Sequence, residues 1–510
     1  MNFNYRLAVV PALAALVFAS AAAAPHHHPA RPGKARVAEA APVATAADAA
    51  ALTPPPPNTP SLSLMEALAI AYETNPTLAA QQANLRATDE SVAIANGGWR
   101  PTISAGGTYS YQQYFFYPQT VTDPATGAIL FGPFSTISAH PAQAALTVTQ
   151  PIFRGGRTIA QIGRAKALVR VGRAQLIAAE QTVLLSAATA YMDVVRDTAI
   201  LDLRKHNVEV LQKQADSTQA QFNAGSLTRT DVAQSQARLA DAQSQLTGAQ
   251  SQLAISTANF LQAIGRQPET LENDPTLPPA LPASLEDSTT LALKQNPNIV
   301  VSRENEVAAN YAIDDAIGTM LPTFSVQGQY GYGQGSLVSP TGGFNGTPHT
   351  AQHAITVTGQ LNVPIYQAGV EEATLRQAKE LHAQSELNIH VSDRAVRDAV
   401  AIAWAQFESA EASITSNEAA VRANRIAFEG VSKEQSVGGR TILDVLNAEQ
   451  ELLNASVNLV TAKRNAVVAA FQVLSASGAL TATNLGLKVR IYDPTVHYDN
   501  DAAAWIGFGD

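Results

Sequence analysis

Gln435-Ser436-Val437-Gly438-Gly439-Arg440-Thr441-Ile442-Leu443-Asp444-Val445-Leu446-Asn447-Ala448-Glu449 holds one short turn, at Gly438, between two long stretches without proline. The upstream stretch, roughly 370–434, has Gly430 as its single glycine; the downstream one runs to about 478. Proline and glycine are the residues that break helices. Both stretches therefore read as helices, and Gly438 reverses the chain between them. At 1.5 Å per residue, about 65 residues make a rod about 100 Å long. No globular core needs such a rod. Long paired helices with small side chains suit a coiled-coil wall.

The same turn occurs earlier, as Phe222-Asn223-Ala224-Gly225-Ser226-Leu227-Thr228-Arg229-Thr230-Asp231-Val232. Asp231-Val232 and Asp444-Val445 are 213 residues apart, as are Gly225 and Gly438. Working outward, the register holds from Pro151-Ile152-Phe153 … Gly156 to Pro364-Ile365-Tyr366 … Gly369, and from Tyr191 to Trp404. Further upstream the offset is 221: Asn75-Pro76 and Pro101 recur as Asn296-Pro297 and Pro322, and Tyr109 and Tyr111 recur as Tyr330 and Tyr332. The eight-residue difference falls between Tyr111 and Pro151, where an exposed loop would tolerate it. The chain thus divides into residues 1–24, 25–60, repeat 1 at 61–283, repeat 2 at 284–480, and a tail at 481–510.

Each repeat has one order. A helix (roughly 64–99 or 285–320) is interrupted by Asn-Pro, which either starts a new helical segment or kinks one. Two strands follow, then the long helix (157–222 or 370–434) and a return helix (228–265 or 441–478). In the strands, Phe324, Val326, Gly328, Tyr330 and Tyr332 alternate with Ser325, Gln327, Gln329 and Gly331. Ile355, Val357, Gly359, Leu361, Val363 and Ile365 alternate with Thr356, Thr358, Gln360 and Asn362. Repeat 1 offers Ile103, Ala105, Gly107, Tyr109 and Tyr111, then Leu146, Val148 and Ile152 against Thr147 and Thr149. Such alternation fits a membrane strand, apolar to lipid and polar to a lumen, and equally a soluble half-buried hairpin. A chain with four strands cannot close a membrane barrel alone, because lipid cannot satisfy an open edge and small barrels start at eight strands. Two copies are the minimum; three would supply twelve strands. Tyr114, Phe115, Phe116 and Tyr117 after the first strand read as an aromatic girdle or an exposed binding patch, and the two long hairpin loops are expected outside the cell.

The N-terminus carries Arg6, an apolar run from Leu7 to Phe18 and small residues from Ser20 to Ala24, which together read as a secretory signal. Residues 25–60, with His26-His27-His28 and Pro54-Pro55-Pro56-Pro57, read as a disordered linker. Charged residues make up 15% of the chain and the net charge is -9, so no basic stripe invites nucleic acid. There is no cysteine, which excludes disulfides, thiolate chemistry and a lipid anchor on cysteine. No HExxH, Walker or GxSxG motif is present, Gly331-Tyr332-Gly333-Gln334-Gly335 lacks a following helix, and His140, His349 and His353 sit in or beside loops. The chain reads as a non-enzyme without cofactor or metal.

The two turns, with Pro151-Ile152-Phe153-Arg154-Gly155-Gly156 after a strand, resemble the TolC family of outer-membrane export proteins over roughly residues 62 to 490. The resemblance implies an α+β membrane protein of two tandem repeats. Three copies would share a twelve-stranded transmembrane barrel, with long coiled-coil helices forming a periplasmic tunnel below it. It implies an exit duct for type I protein secretion or multidrug efflux, spanning from the outer membrane into the periplasm. Its partners would be an inner-membrane ABC or RND-type transporter and a periplasmic adaptor. By match, Arg440, Thr230 and Asp231 would latch the closed tip, and Asp444 would stand in an acidic ring at the pore entrance. Asn447 replaces the second Asp, and Gln435 the Tyr, that the family often has, which alters the charge and the hold of the gate. The competing reading is a soluble periplasmic coiled-coil adaptor or scaffold.

Overall fold

The computed structural model describes residues 61–502 except 119, 132–133, 274–276, 279–280 and 336–349, together with Trp505. The expected signal and linker, most of the second hairpin loop and His349 lie outside the described residues. The chain runs α1 (Leu64–Thr74), α2 (Pro76–Asn96), β1 (Thr102–Tyr109), β2 (Gln112–Phe116), β3 (Thr120–Thr122), β4 (Ile129–Phe131), β5 (Ser135–Ala139), β6 (Ala142–Arg154), α3 (Arg157–Asn223) and α4 (Arg229–Ile264). The second round is α5 (Leu285–Gln295), α6 (Pro297–Thr319), β7 (Thr323–Gly335), β8 (Thr350–Asn362), α7 (Val370–Ser436) and α8 (Ile442–Ala476), and α9 (Thr495–Asp501) ends it.

The Asn-Pro pairs start new helices instead of kinking old ones. Asn75 accepts from the Thr77 N–H at 2.9 Å, with Pro76 at the first position of α2, where a missing N–H costs nothing. Its amide also donates to the Ala263 carbonyl at the end of α4 (3.3 Å). Asn296 repeats both bonds, to Asn298 N–H and to the Ala476 carbonyl, at 2.9 Å each. One side chain thus opens a helix and ties down the end of the return helix of the same repeat. Near this junction Tyr191 of α3 is fully buried. Its hydroxyl donates to the Leu62 carbonyl (2.7 Å) and accepts from the Glu272 N–H (2.9 Å), and burial pushes the phenol up to about 12. The main core gathers here, with Leu68, Leu184, Phe260, Phe471 and Leu480.

The four main strands form one antiparallel sheet in the order β1-β6-β7-β8. The register puts Ile103, Leu146, Val148, Val326, Tyr330, Ile355, Val357 and Leu361 on one face, and Thr147, Thr149, Gln327, Gln329, Thr356 and Thr358 on the other. The first face is mainly apolar, with Gln150 and His353 as exceptions, and the second is mainly polar. A bulge between Pro151 and Phe153 interrupts the ladder where Pro lacks its N–H. The first hairpin loop is not the irregular excursion its length suggests. It continues as a ribbon, β2 against β5 and β3 against β4, closed by a turn in which Asp123 and Ala128 pair. Tyr114 and Phe115 belong to that ribbon. His140 and His353 also have structured surroundings: His140 lies 3.3 Å from the Tyr109 hydroxyl, and His353 of β8 lies 2.8 Å from that of Tyr330.

The helices repeat the sheet's logic. Beside the sheet they neighbour one another in the row α2-α3-α6-α7, and beyond it in the row α4-α3-α8-α7. The 67-residue α3 is flanked on both sides and buries 25 residues; the equally long α7 buries six. On α7, Leu381, Leu387, Val391 and Ile402 are at least half exposed. At about 100° per residue they share one stripe. No helix among the described residues is long and apolar enough to cross a membrane.

Candidate functional site

The two helix turns are built alike. Gly225 (φ +77°) and Gly438 (φ +79°) occupy the left-handed region that side chains resist. The Gly225 and Ser226 N–H groups reach back to the Phe222 and Gln221 carbonyls at 2.9 and 3.0 Å. Gly438 and Gly439 do the same to Gln435 and Glu434 at 3.0 and 2.8 Å. These are the paired bonds of a Schellman helix end. Each following helix opens with a capping box, Thr228 with Asp231 and Thr441 with Asp444. Asp231 Oδ2 accepts from the Thr228 hydroxyl (2.7 Å) and N–H (3.0 Å), and Asp444 Oδ2 from those of Thr441 (2.8 and 3.0 Å). Those threonine bonds, hydroxyl first, hold both carboxyls below their usual range, so both are ionised at neutral pH.

The side chains then diverge. Leu227 packs against an apolar cluster of Leu211, Ala242, Ile442 and Leu446. Its counterpart Arg440 points outward, and its Nε donates to Glu434 Oε2 at 2.9 Å. That bond, then the charges of Glu434 and Asp444, raise the Arg440 pKa further. Thr230 is exposed on the first turn of α4, and Gln435 is half-buried. Among the described residues no hydrogen bond joins Arg440 to Thr230 or Asp231 of the same chain. The Asn447 side-chain oxygen turns to α4 and accepts from Arg238 Nη2 at 3.2 Å.

Sequence reasoning passed over four residues here: Glu434, Arg238, Asn207 and Glu449. Glu449 of α8 is buried, and its Oε1 accepts from Asn207 of α3 at 3.1 Å. Burial pushes its carboxyl up to about 7 against the opposing pull of the Asn207 bond. A cavity of about 10 Å³ beside it is lined by Leu211, Arg238, Asp241 and Leu446 as well. A signal was present: Ile442, Leu446, Glu449 and Leu453 follow coiled-coil seam spacing, with one carboxylate among apolar residues. Farther toward the sheet, Glu306, His382 and Glu386 are the metal-compatible cluster among the described residues. His382 Nε2 bonds Glu306 at 2.7 Å, while Nδ1 faces Glu386 at 3.9 Å. The carboxylates flank opposite ring nitrogens, which suits a hydrogen-bonded bridge between α6 and α7 better than one shared ion.

A sheet with a mainly apolar and a mainly polar face, set on two helices of 67 residues, has parallels among known proteins. A family profile described as "Outer membrane efflux protein" matches residues 67–266 and 289–479, once in each repeat. The outer membrane efflux protein BepC of Brucella suis biovar 1 (strain 1330) is 32% identical over 447 residues, covering 88% of this chain and 92% of that one. The outer membrane protein TolC of Escherichia coli (strain K12) is 26% identical over 440 residues, covering 83% and 85%. Among solved structures, that of CusC, described for conformational changes accompanying folding and transmembrane channel formation, superposes with a TM-score of 0.68. It is 18% identical and covers 81% of this chain and 91% of that one, a likeness of fold. These matches favour the channel over the soluble scaffold. The chain belongs to the outer membrane efflux protein family, whose channels reside in the outer membrane and reach into the periplasm.

Proposed function

We propose that this chain is one of three identical subunits of a passive export duct. An inner-membrane transporter, of ABC or RND type, supplies the energy and delivers cargo through a periplasmic adaptor; the chain itself performs no catalysis. The observation that carries the reading is the open row with unlike edges. In the sheet the edges are β1 and β8; in the helices they are α2 or α4 and α7. An edge that meets a different edge makes a head-to-tail contact, and such contacts close into rings. In an antiparallel row of four, β1 and β8 run in opposite directions, so β8 of one copy can continue the alternation with β1 of the next. The bilayer demands that closure, since unpaired edges are not tolerated in lipid. The exposed stripe of α7 would be covered by the same neighbour.

In such a ring the tips converge. Arg440 would reach Thr230 and Asp231 of the neighbouring helix pair, and three Asp444 carboxylates would surround the entrance, with the half-buried Gln435 behind them. Like charges gathered at an axis attract cations. The native chain has no cysteine, so introduced pairs report cleanly. Cysteines placed in β1 and scanned along β8 should cross-link between chains into a closed trimer, and the detergent-solubilised particle should have three times the mass of the chain. A folded monomeric particle, or a ladder of open-ended oligomers, would overturn the ring.

A further inference from the structure

We propose that Glu449 of α8 and Asn207 of α3 form a proton-sensitive clasp that holds the resting tip closed within each chain, a reading that rests on the gated duct above. The two residues belong to different helix pairs. Their bond (3.1 Å) therefore crosses the joint along which the α7/α8 pair would swing away from the α3/α4 pair. It sits next to the apolar cluster of Leu211, Ala242, Ile442 and Leu446, so parting the joint also wets that cluster. An acidic residue at an apolar seam position is costly unless it is paired or neutral.

The groups that face Glu449 supply no dedicated counter-charge. From α3 come Asn207 and Leu211; from α4, Arg238, Asp241 and Ala242; from α8 itself, Leu446 and Gln450. Arg238 is spent on Asn447 (3.2 Å), and Asp241 accepts from Gln245 (2.8 Å). One positive and one negative charge on the same helix largely offset each other. No α7 residue lines the cavity. With space of only about 10 Å³, the closed joint can hardly hydrate an ionised carboxylate.

The direction follows from burial. The closed joint holds the Glu449 proton up to about 7, above the ordinary 4.5 that a wetted carboxyl regains when the helices part. Closure is therefore favoured below 4.5, where its full contribution is present, and that contribution fades as pH rises through about 7. Above it, ionised Glu449 pulls the joint toward water. The Arg238–Asn447 bridge (3.2 Å) crosses the neighbouring α4–α8 joint and involves no carboxyl.

The test uses the assembled full-length protein in planar bilayers at one ionic strength. Resting conductance of the wild type should rise several-fold between about pH 6 and about pH 8, an interval over which the protonated-to-ionised ratio changes roughly a hundredfold. Glu449→Gln keeps the bond to Asn207 without the charge, and it should stay at the low conductance throughout. Glu449→Ala, if it assembles, should be leaky throughout. A wild type that is flat over this range, or a Glu449→Gln variant that keeps the rise, overturns the clasp while leaving the duct intact. A wild-type particle that never conducts overturns the duct itself, and the clasp with it.

Discussion

The turn of repeat 1 and the turn of repeat 2 share a backbone and differ in what they do with it. Both place a glycine in the left-handed region, fold the helix end back with the same pair of bonds, and open the next helix with Thr and Asp. At the position after these glycines' immediate neighbours, repeat 1 has Leu227 and repeat 2 has Arg440. Leu227 packs on the apolar cluster and fastens its turn to the chain. Arg440 pairs with the exposed Glu434, and among the described residues it makes no hydrogen bond to another helix pair. Backbone chemistry is what duplication preserved; the division of labour lies in side chains. Ile442 anchors the second turn on the same cluster, so the contrast lies at one position: Leu227 faces into the chain and Arg440 presents charge outward.

Exchanging those two side chains for serine separates the roles most strongly. Arg440→Ser should raise resting single-channel conductance several-fold and leave the thermal midpoint unmoved, because its pair with Glu434 is half exposed and screened. Leu227→Ser should instead cost about 1–2 kcal/mol of stability through lost apolar contact, with a lower thermal midpoint. If Leu227→Ser opened the channel while Arg440→Ser did nothing, the assignment of anchor and latch would have to be reversed.

The shared backbone of the two turns is legible in the sequence alone. Gly225, Gly438 and the proline-free runs around them give the helix pairs, because few residues other than glycine end a helix so abruptly and prolines are absent where helices must continue. Asn75-Pro76 and Asn296-Pro297 left a helix start and a kink both open in the sequence, and the Asn caps decide for a start. The order β1-β6-β7-β8 was not legible. All four strands carry the same apolar-polar alternation, so nothing in the pattern says that β6 and β7, from different repeats, are neighbours. Nor was the ribbon of β2 to β5: its strands are short and two of them have only three residues. At the tip, sequence matching singled out Arg440, Asp444 and Asn447, but it pointed neither to Glu434 beside Arg440 nor to Arg238 beside Asn447. Glu434 lies six residues before Arg440, and Arg238 and Asn207 come from helices that meet α8 only in the folded chain. Glu449 could have been found as a carboxylate in an apolar stripe.

The aspartates sharpen the contrast with a smaller effect. Asp231 and Asp444 have the same local duty, since each takes the hydroxyl and N–H of its capping threonine. Asp231→Ala and Asp444→Ala should therefore lower the thermal midpoint by similar, modest amounts. They should differ in the channel. Asp444→Ala should remove most of the block by multivalent cations added on the periplasmic side, and Asp231→Ala should remove little of it. Equal loss of block from both would mean that both turns line the entrance alike.

The smallest expected effect is at Asn447, and it departs from what a simple count of charges gives. Three residues past Asp444, an added carboxylate would seem to build a second acidic ring and strengthen cation block. The Asn447 side chain, however, already faces Arg238 of α4 at 3.2 Å. In Asn447→Asp the new charge should be taken up by that guanidinium, turning a hydrogen bond into an ion pair across the α4–α8 joint. An exposed pair of this kind contributes about 0.2–1 kcal/mol. The variant should therefore show a slightly lower resting conductance, with cation block close to that of the wild type. Removing the partner exposes the hidden charge: Asn447→Asp combined with Arg238→Ala should block more strongly than either single variant. Recordings of the four proteins at one ionic strength form a closed cycle, in which salt screening is common to every arm. Strong added block from Asn447→Asp alone would show that Arg238 does not hold this side chain in the assembled tip.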